Sequence, residues 1–259
     1  MKRILKTIGL LVLVLVIGVA WVLAATFLGR RAILDGQEFG GIRIIADGFS
    51  SVAVIPIQDG RVALVDAGED EGGEAILRAL SERRLGPDAV AAILLTHGHP
   101  DHTAAIGRFP RAQVMALEAE VPLIEGRAGS RGPVTRLFPV SPTGVRVVRV
   151  LRDGDVVTLG GASIRVYAVP GHTAGSAAYL VDGILFIGDS ADVTTDGSLQ
   201  GSPWIFSDSQ AENRASLVRL ERRLTADGAS VTAIVPAHSG TTEGLAPLSA
   251  FARANEDTR

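Results

Sequence analysis

The chain holds 259 residues with 25 basic and 28 acidic side chains, a formal charge of −3, five histidines and no cysteine. Without cysteine there is no disulfide framework, thiolate nucleophile, zinc finger or iron–sulfur site. The length suits one large domain, and 30 glycines without a periodic repeat point to many turns rather than a fibre.

The charge divides unevenly. Residues 1–31 carry Lys2, Arg3, Lys6, Arg30 and Arg31 and no acid, so the remainder holds 20 Arg against 28 acids and no Lys. That acidic remainder is a poor electrostatic partner for nucleic acid and has no lysine for a Schiff base or a P-loop. Between the basic clusters, Ile8–Leu28 is an uncharged run rich in Leu, Val, Ile and Ala. Its 21 residues would make a helix about 30 Å long, the thickness of a bilayer core. It predicts a transmembrane helix, with the lipid bilayer as partner through residues 8–28. The alternative is a signal peptide cleaved near Gly18-Val19-Ala20, although the apolar run continues past that point. The basic residues before the span favour a single-pass cell-membrane protein whose domain lies on the outer, periplasmic or extracellular side, or a secreted domain if the N-terminus is cleaved. The expected layout is an anchor over 1–31, a linker over 32–41 and a catalytic domain over 42–259.

Strand-length apolar runs follow at Ile42–Ile45, Val52–Ile57 and Val62–Val65, with Asp59-Gly60 as a hairpin signal. Glu71–Arg84 has helical spacing and Gly86-Pro87 ends it. Val90–Leu95 reads as a buried strand, followed by one helix after residue 102 and another over Glu118–Ile124. Further strands are expected at Val145–Leu151, Val156–Leu159, Ile164–Val169, Ala177–Val181, Ile184–Ile187 and Val231–Val235. Asp153-Gly154 and Asp182-Gly183 read as hairpins, and Ser209…Glu212 as a capping box opening a helix to Leu224. Groups of strands with single helices predict an α+β fold of two mixed or antiparallel sheets with helices outside.

Residues 96–102 read Thr-His-Gly-His-Pro-Asp-His directly after a predicted strand. Three imidazoles and a carboxylate in six positions suit zinc when thiolates are absent. His172, in Pro170-Gly171-His172, and His238, in Pro236-Ala237-His238, also follow strands, as does Asp189 in Gly188-Asp189. Loops at strand ends are where a rigid scaffold builds sites. Trp204, in the loop after Asp189, is a candidate wall of a substrate pocket.

His97-x-His99-x-Asp101-His102, Gly171-His172, Gly188-Asp189, Ala237-His238 and the upstream Val65-Asp66-Ala67-Gly68 together resemble the motifs of the metallo-β-lactamase superfamily of binuclear metallohydrolases. The resemblance covers residues 42–240 and implies a four-layer αββα metallo-β-lactamase sandwich. It further implies one zinc on His97, His99 and His172 and a second on Asp101, His102 and His238. Asp189 would bridge the two zinc ions, and Asp66 would lie behind the ligands and orient one of them. The implied activity is attack by a metal-bridging hydroxide on a small-molecule ester, thioester, lactone or lactam, with Asp101 as the catalytic carboxylate. Alternatives within the same fold are a mononuclear iron persulfide dioxygenase-like enzyme and a phosphoester hydrolase; outside catalysis, a receptor would be expected to have lost ligands. Two places where the family often has Gly hold Ala104 and Ala105. The missing cysteine excludes the cysteine-using lactamases. Classical glyoxalase II is disfavoured, because only 21 residues follow His238. No protein partner is deducible.

Overall fold

The structure is a computed structural model that describes residues 2–256. Met1 and residues 257–259, the outer ends of the expected anchor and catalytic domain, lie outside the described residues, as do the side chains of 2–5, 23 and 25, among them Lys2 and Arg3. The chain divides into two compact units, Met1–Arg30 and Arg31–Arg259.

The first unit is built on helix α1 (Lys2–Phe27). Leu10, Leu11, Val14, Leu15 and Ile17 among its apolar side chains are exposed. Within the described residues no helix is long and apolar enough to cross a membrane.

The second unit begins one residue before the expected boundary. Arg31 N–H donates to Val193, its carbonyl accepts from Gly240 N–H, and its guanidinium donates to the Thr241 carbonyl. The segment expected as a linker also contributes strand β1 (Glu38–Phe39), which pairs with β2 (Ile42–Asp47). Strands β3 (Ser50–Ile57) and β4 (Arg61–Val65) continue antiparallel; β5 (Val90–Leu94), β6 (Gln113–Leu117) and β7 (Arg149–Leu151) then add parallel to β4. This gives a seven-stranded mixed sheet in sequence order.

Between β4 and β7 lie α2 (Glu74–Glu82), α3 (Pro100–Thr103) and α4 (Val121–Ile124). The second sheet comprises β8 (Val156–Leu159), β9 (Ala162–Ala168), β10 (Ala177–Val181), β11 (Ile184–Gly188), β14 (Ala233–Pro236) and β15 (Thr242–Glu243). Its order is β15-β14-β11-β10-β9-β8, antiparallel except for the parallel pair β11 and β14. A small ribbon of β12 (Ala191–Val193) and β13 (Leu199–Gly201) precedes α5 (Gln210–Ala226), and α6 (Ala246–Asn255) closes the described chain.

Residue alternation builds the layers. In β3, Ala53 and Ile55 face the second sheet, whereas Val52 and Val54 face the outer helices; β4 repeats this with Ala63 and Val65 against Val62 and Leu64. Strands buried on both faces read as unbroken apolar runs, which is why the sequence shows them so clearly. The core between the sheets joins Leu94 and Met115 to Val166, Tyr179 and Val235. Outside it, α2 buries Ile76, Ala79 and Leu80 on the first sheet. On the second sheet α5 buries Leu217, Leu220 and Leu224, beside Leu248 of α6. The result is the expected αββα sandwich.

Three local expectations are corrected. Asp153-Gly154 joins strands of different sheets, so it is a crossing between layers and no hairpin. The strand expected from residue 145 starts at Arg149, because Glu125 Oε1 takes the Val147 N–H. The strand expected over Val231–Val235 as the last one begins at Ala233 and is followed by β15. Asp59-Gly60 and Asp182-Gly183 do turn antiparallel pairs, with φ of 62° and 67° and of 48° and 81°.

Candidate metal centre

Five loops converge at one edge of the sandwich. Asp66 follows β4, residues 95–102 follow β5, His172 follows β9, Asp189 follows β11 and His238 follows β14. All are drawn from the carboxyl ends of strands, and four of the five belong to the parallel pairs of their sheets.

His97 Nε2, His99 Nδ1 and His172 Nε2 form a triangle with sides of 3.0, 3.0 and 3.2 Å. Three nitrogens on a tetrahedral zinc at 2.0–2.1 Å would sit about 3.3 Å apart. Asp101, His102, Asp189 and His238 form a second group whose ligand atoms lie within 4.8 Å of one another. Asp189 faces both. Its Oδ1 is 3.3 Å from His102 Nε2, and its Oδ2 is 3.0 Å from His238 Nε2 and 3.5 Å from His172 Nε2. His238 Nε2 is also 3.1 Å from Asp101 Oδ2. All seven candidate ligands named from the sequence are thus brought together.

The outward nitrogen of each ring is held from behind. His102 Nδ1–H donates to Asp66 Oδ2 at 2.9 Å, and His238 Nδ1–H to the Phe49 carbonyl at 2.8 Å. The Thr96 hydroxyl donates to Asp66, so His97 Nδ1 is the donor to Thr96 Oγ1. Likewise the single proton of the Ser207 hydroxyl goes to the Pro203 carbonyl, leaving His172 Nδ1–H to donate to Ser207. His99 Nε2 pairs with Ser130 Oγ at 2.8 Å. Fixing the outer N–H turns a lone pair inward, the arrangement that aims histidines at a metal. Two inward atoms, His102 Nε2 and Asp189 Oδ1, are buried without a hydrogen-bond partner. With Nδ1 carrying the proton, Nε2 presents a lone pair to the Asp189 oxygen 3.3 Å away, and two buried acceptors so close fit a cation between them.

Asp66 sits at φ 62°, a left-handed conformation few non-glycine residues adopt. It accepts from Thr96 N–H and Oγ1–H as well as from His102, so it ties the β4 turn to the histidine loop. This is the supporting place expected of it. Gly171 has φ 130°, and a Cβ there would come within 2.2 Å of Asn213 N in α5, so only glycine lets the loop bring His172 this close to the helix.

Burial is the largest influence on each of the seven candidate ligands. It holds His97 well below the ordinary imidazole value, reinforced by His102, His172 and His99, and it lowers His99 and takes His172 to about 3. In the second group charge overrides burial. Asp189, Asp66 and Asp101 raise His102 well above its usual value, and Asp189 and Asp101 raise His238 to about 10. Against burial, His102 and His238 lower Asp101 to about 2 and hold Asp189 well below the carboxylate range. The first group therefore offers neutral imidazoles to a metal, while the second pairs histidines that hold a proton with carboxylates, and a metal binding there would displace those protons.

Trp204 lies half exposed in the loop that carries Ser207. The supporting contacts from Phe49, Ser130 and Ser207 were not read from the sequence. The first is a backbone carbonyl, and the serines lie more than thirty positions from their histidines. Glu120 was also missed. Fully buried, it accepts from Gly98 N–H, Thr173 Oγ1–H and Gly175 N–H, clamping the His97–His99 loop to the His172 loop.

A family model described as the metallo-beta-lactamase superfamily matches residues 46–238. The chain belongs to that superfamily, and is thereby classed with metal-dependent hydrolases. It is 35% identical over 162 residues to a hydroxyacylglutathione hydrolase of Aeromonas hydrophila, covering 61% of this chain and 50% of that protein. To one of Cupriavidus taiwanensis it is 36% identical over 159 residues, covering 57% and 52%. The chain spans about half the length of these curated relatives. The metallo-β-lactamase MIM-1 of Novosphingobium pentaromativorans shares the fold with a TM-score of 0.66 at 20% identity, over 88% of this chain and 89% of that one. A metallo-β-lactamase from Pontibacter korlensis aligns with a TM-score of 0.59 at 17% identity, over 85% and 92%.

Proposed function

We propose that this chain is a membrane-anchored binuclear zinc hydrolase of a small carbonyl substrate, with a thioester as the favoured class. The observation that carries the binuclear reading is Asp189, which faces a three-histidine group on one side and the Asp101, His102 and His238 group on the other. His97, His99 and His172 would hold one zinc, Asp101, His102 and His238 the second, and Asp189 would serve both. The metals, when bound, supply an activated water nucleophile at neutral pH and polarise the carbonyl.

The remaining work belongs to the chain. Asp101 is the most exposed of the candidate ligands and stays ionised, so it can hold the attacking water and carry its proton to the leaving group. Asp66 keeps His102 in register. The exposed Phe49 ring stacks on His238 and would give an apolar wall for an acyl group, with Trp204, half exposed on the loop that carries Ser207, as the candidate second wall. The thioester class is favoured by the hydroxyacylglutathione hydrolases among the relatives. The anchor is supported by the uncharged run Ile8–Leu28 and the exposed apolar side chains of α1. The basic residues ahead of the run favour a domain on the outer side.

The test is metal analysis and a substrate panel on the detergent-purified full chain. Two zinc per chain and fastest turnover of a thioester, ahead of ester, lactone, lactam and phosphoester, are expected. Asp101→Ala should lower kcat on the accepted substrate roughly 10²–10⁴-fold. One iron per chain with oxygen consumption, or full turnover by Asp101→Ala, would overturn the reading.

A further inference from the structure

Residues 126–152 hold six arginines and no acid, in a domain that is otherwise strongly acidic. The first part of this segment forms a lobe between α4 and the Trp204 loop. Thr143 Oγ1–H donates to the Ile124 carbonyl, a Cβ on Gly129 would reach within 2.8 Å of Val140 Cγ2, and Val134 N–H donates to the Ile205 carbonyl. At its tip Leu137, Phe138 and Val140 are exposed by 75%, 54% and 57%, with Trp204 exposed by 50% on the loop beside it. Apolar side chains at a loop tip are ordinarily turned inward; here they stand in water among cations.

Three of the arginines face acids outside the segment: Arg127 meets Glu125, Arg131 meets Asp208 and Arg152 meets Glu118. Arg136, Arg146 and Arg149 are exposed, and among the described residues their guanidinium groups make no hydrogen bond or close ion pair, although Arg146 lies near enough to Glu125 to help lower its carboxyl. Exposed aromatic and aliphatic side chains interleaved with exposed cations match the interface of an anionic bilayer, where rings enter the headgroup boundary and guanidinium groups meet phosphate. A polyanion without an apolar phase would match the arginines and leave Leu137, Phe138 and Val140 unaccounted for.

We propose that the 126–150 lobe is a lipid-contact surface that seats on anionic phospholipid headgroups. The inference rests on the membrane location proposed above but uses different residues. Because Ser130 in the lobe holds His99, seating it would bring the mouth of the metal centre to the lipid surface.

The full chain, reconstituted into vesicles of phosphatidylcholine alone or mixed with phosphatidylglycerol, tests this by amide hydrogen exchange. Peptides from 134–150 should exchange more slowly in the anionic vesicles, and salt should reverse this. The double variant Arg136→Glu/Arg146→Glu should weaken the contact at least roughly thirtyfold, and Leu137→Ser/Phe138→Ser should also abolish protection. In both variants, unchanged exchange in the two sheets reports intact folding. Protection of 8–28 without any for 134–150 would keep the anchor and overturn this proposal. Protection of 134–150 without any for 8–28 would keep it and overturn the anchor. Equal protection by heparin in solution would overturn the lipid assignment.

Discussion

Asp66 shows how much a single carboxylate without a metal contact can decide. Its three accepted hydrogen bonds fix Thr96 and the tautomer of His102. Asp66→Asn replaces one accepting oxygen with a donor, so the His102 ring loses the partner that turns Nε2 inward. Zinc affinity at the Asp101, His102 and His238 group should fall about 10–100-fold, with the three-histidine group little affected; competitive chelator titration resolves the two sites. Glu120 acts on pH instead. Burial raises its carboxyl to about 7, against the lowering effect of its three donors. The folded protein therefore holds a proton that the unfolded chain has released, so its contribution to stability is complete below about pH 4.5 and declines as pH rises through 7. The shift corresponds to about 3 kcal/mol. Subtracting the Tm–pH curve of zinc-loaded Glu120→Gln from that of the wild type should reveal this slope between pH 4.5 and 7, and a flat difference would refute it. The ligands were legible because their spacing is local and their chemistry rare. Glu120 was not, because acids in a helix-like stretch look solvated until tertiary contacts bury them.

Among the elements, helices were read well where capping chemistry marked them. Ser209 Oγ accepts from Glu212 N–H and opens α5 one residue later. Ser209→Ala should cost about 1 kcal/mol, measurable as a lower denaturation midpoint with unchanged slope. Strand β6 escaped notice, since Gln113–Leu117 is short, lacks a strong run of branched residues and follows a turn. Helix α6 was missed as well, because its apolar face emerges only against β13 and α5. The dipeptide Asp153-Gly154 bends the chain as expected, but a turn sequence specifies a local angle and says nothing about which sheet receives the next strand. The loop after β9 makes a sharper case. Gly171→Ala would drive a methyl into the backbone of Asn213, and helix α5 cannot retreat without uncovering Leu217 and Leu220. His172 must therefore shift, and this variant should lose zinc from the three-histidine group while keeping its far-ultraviolet circular dichroism.

At the scale of the molecule, metal and fold are coupled. Zinc that binds only the folded state stabilises it by about 2.7 kcal/mol at a hundredfold excess over Kd. Chelation should lower Tm reversibly, and restoring the metal should recover it. The sandwich was legible from the grouping of strands and from the matched motifs. Substrate class was not: the ligand motifs are common to hydrolases of several substrates, whereas the curated relatives put thioester chemistry first among the proposals.

The division of the ligands between the sheets has a consequence for the chain as it is made. The first sheet supplies His97, His99, Asp101 and His102, and the second supplies His172, Asp189 and His238. Each candidate metal group draws on both. A nascent chain that has emerged only through β7 holds four of the seven ligands, yet neither group is complete. His238 is the last candidate ligand synthesised, so the second group can fill with metal only after β14 has left the ribosome. A product terminated before His238 would leave that group incomplete, and metal content would report synthesis through β14 as well as activity.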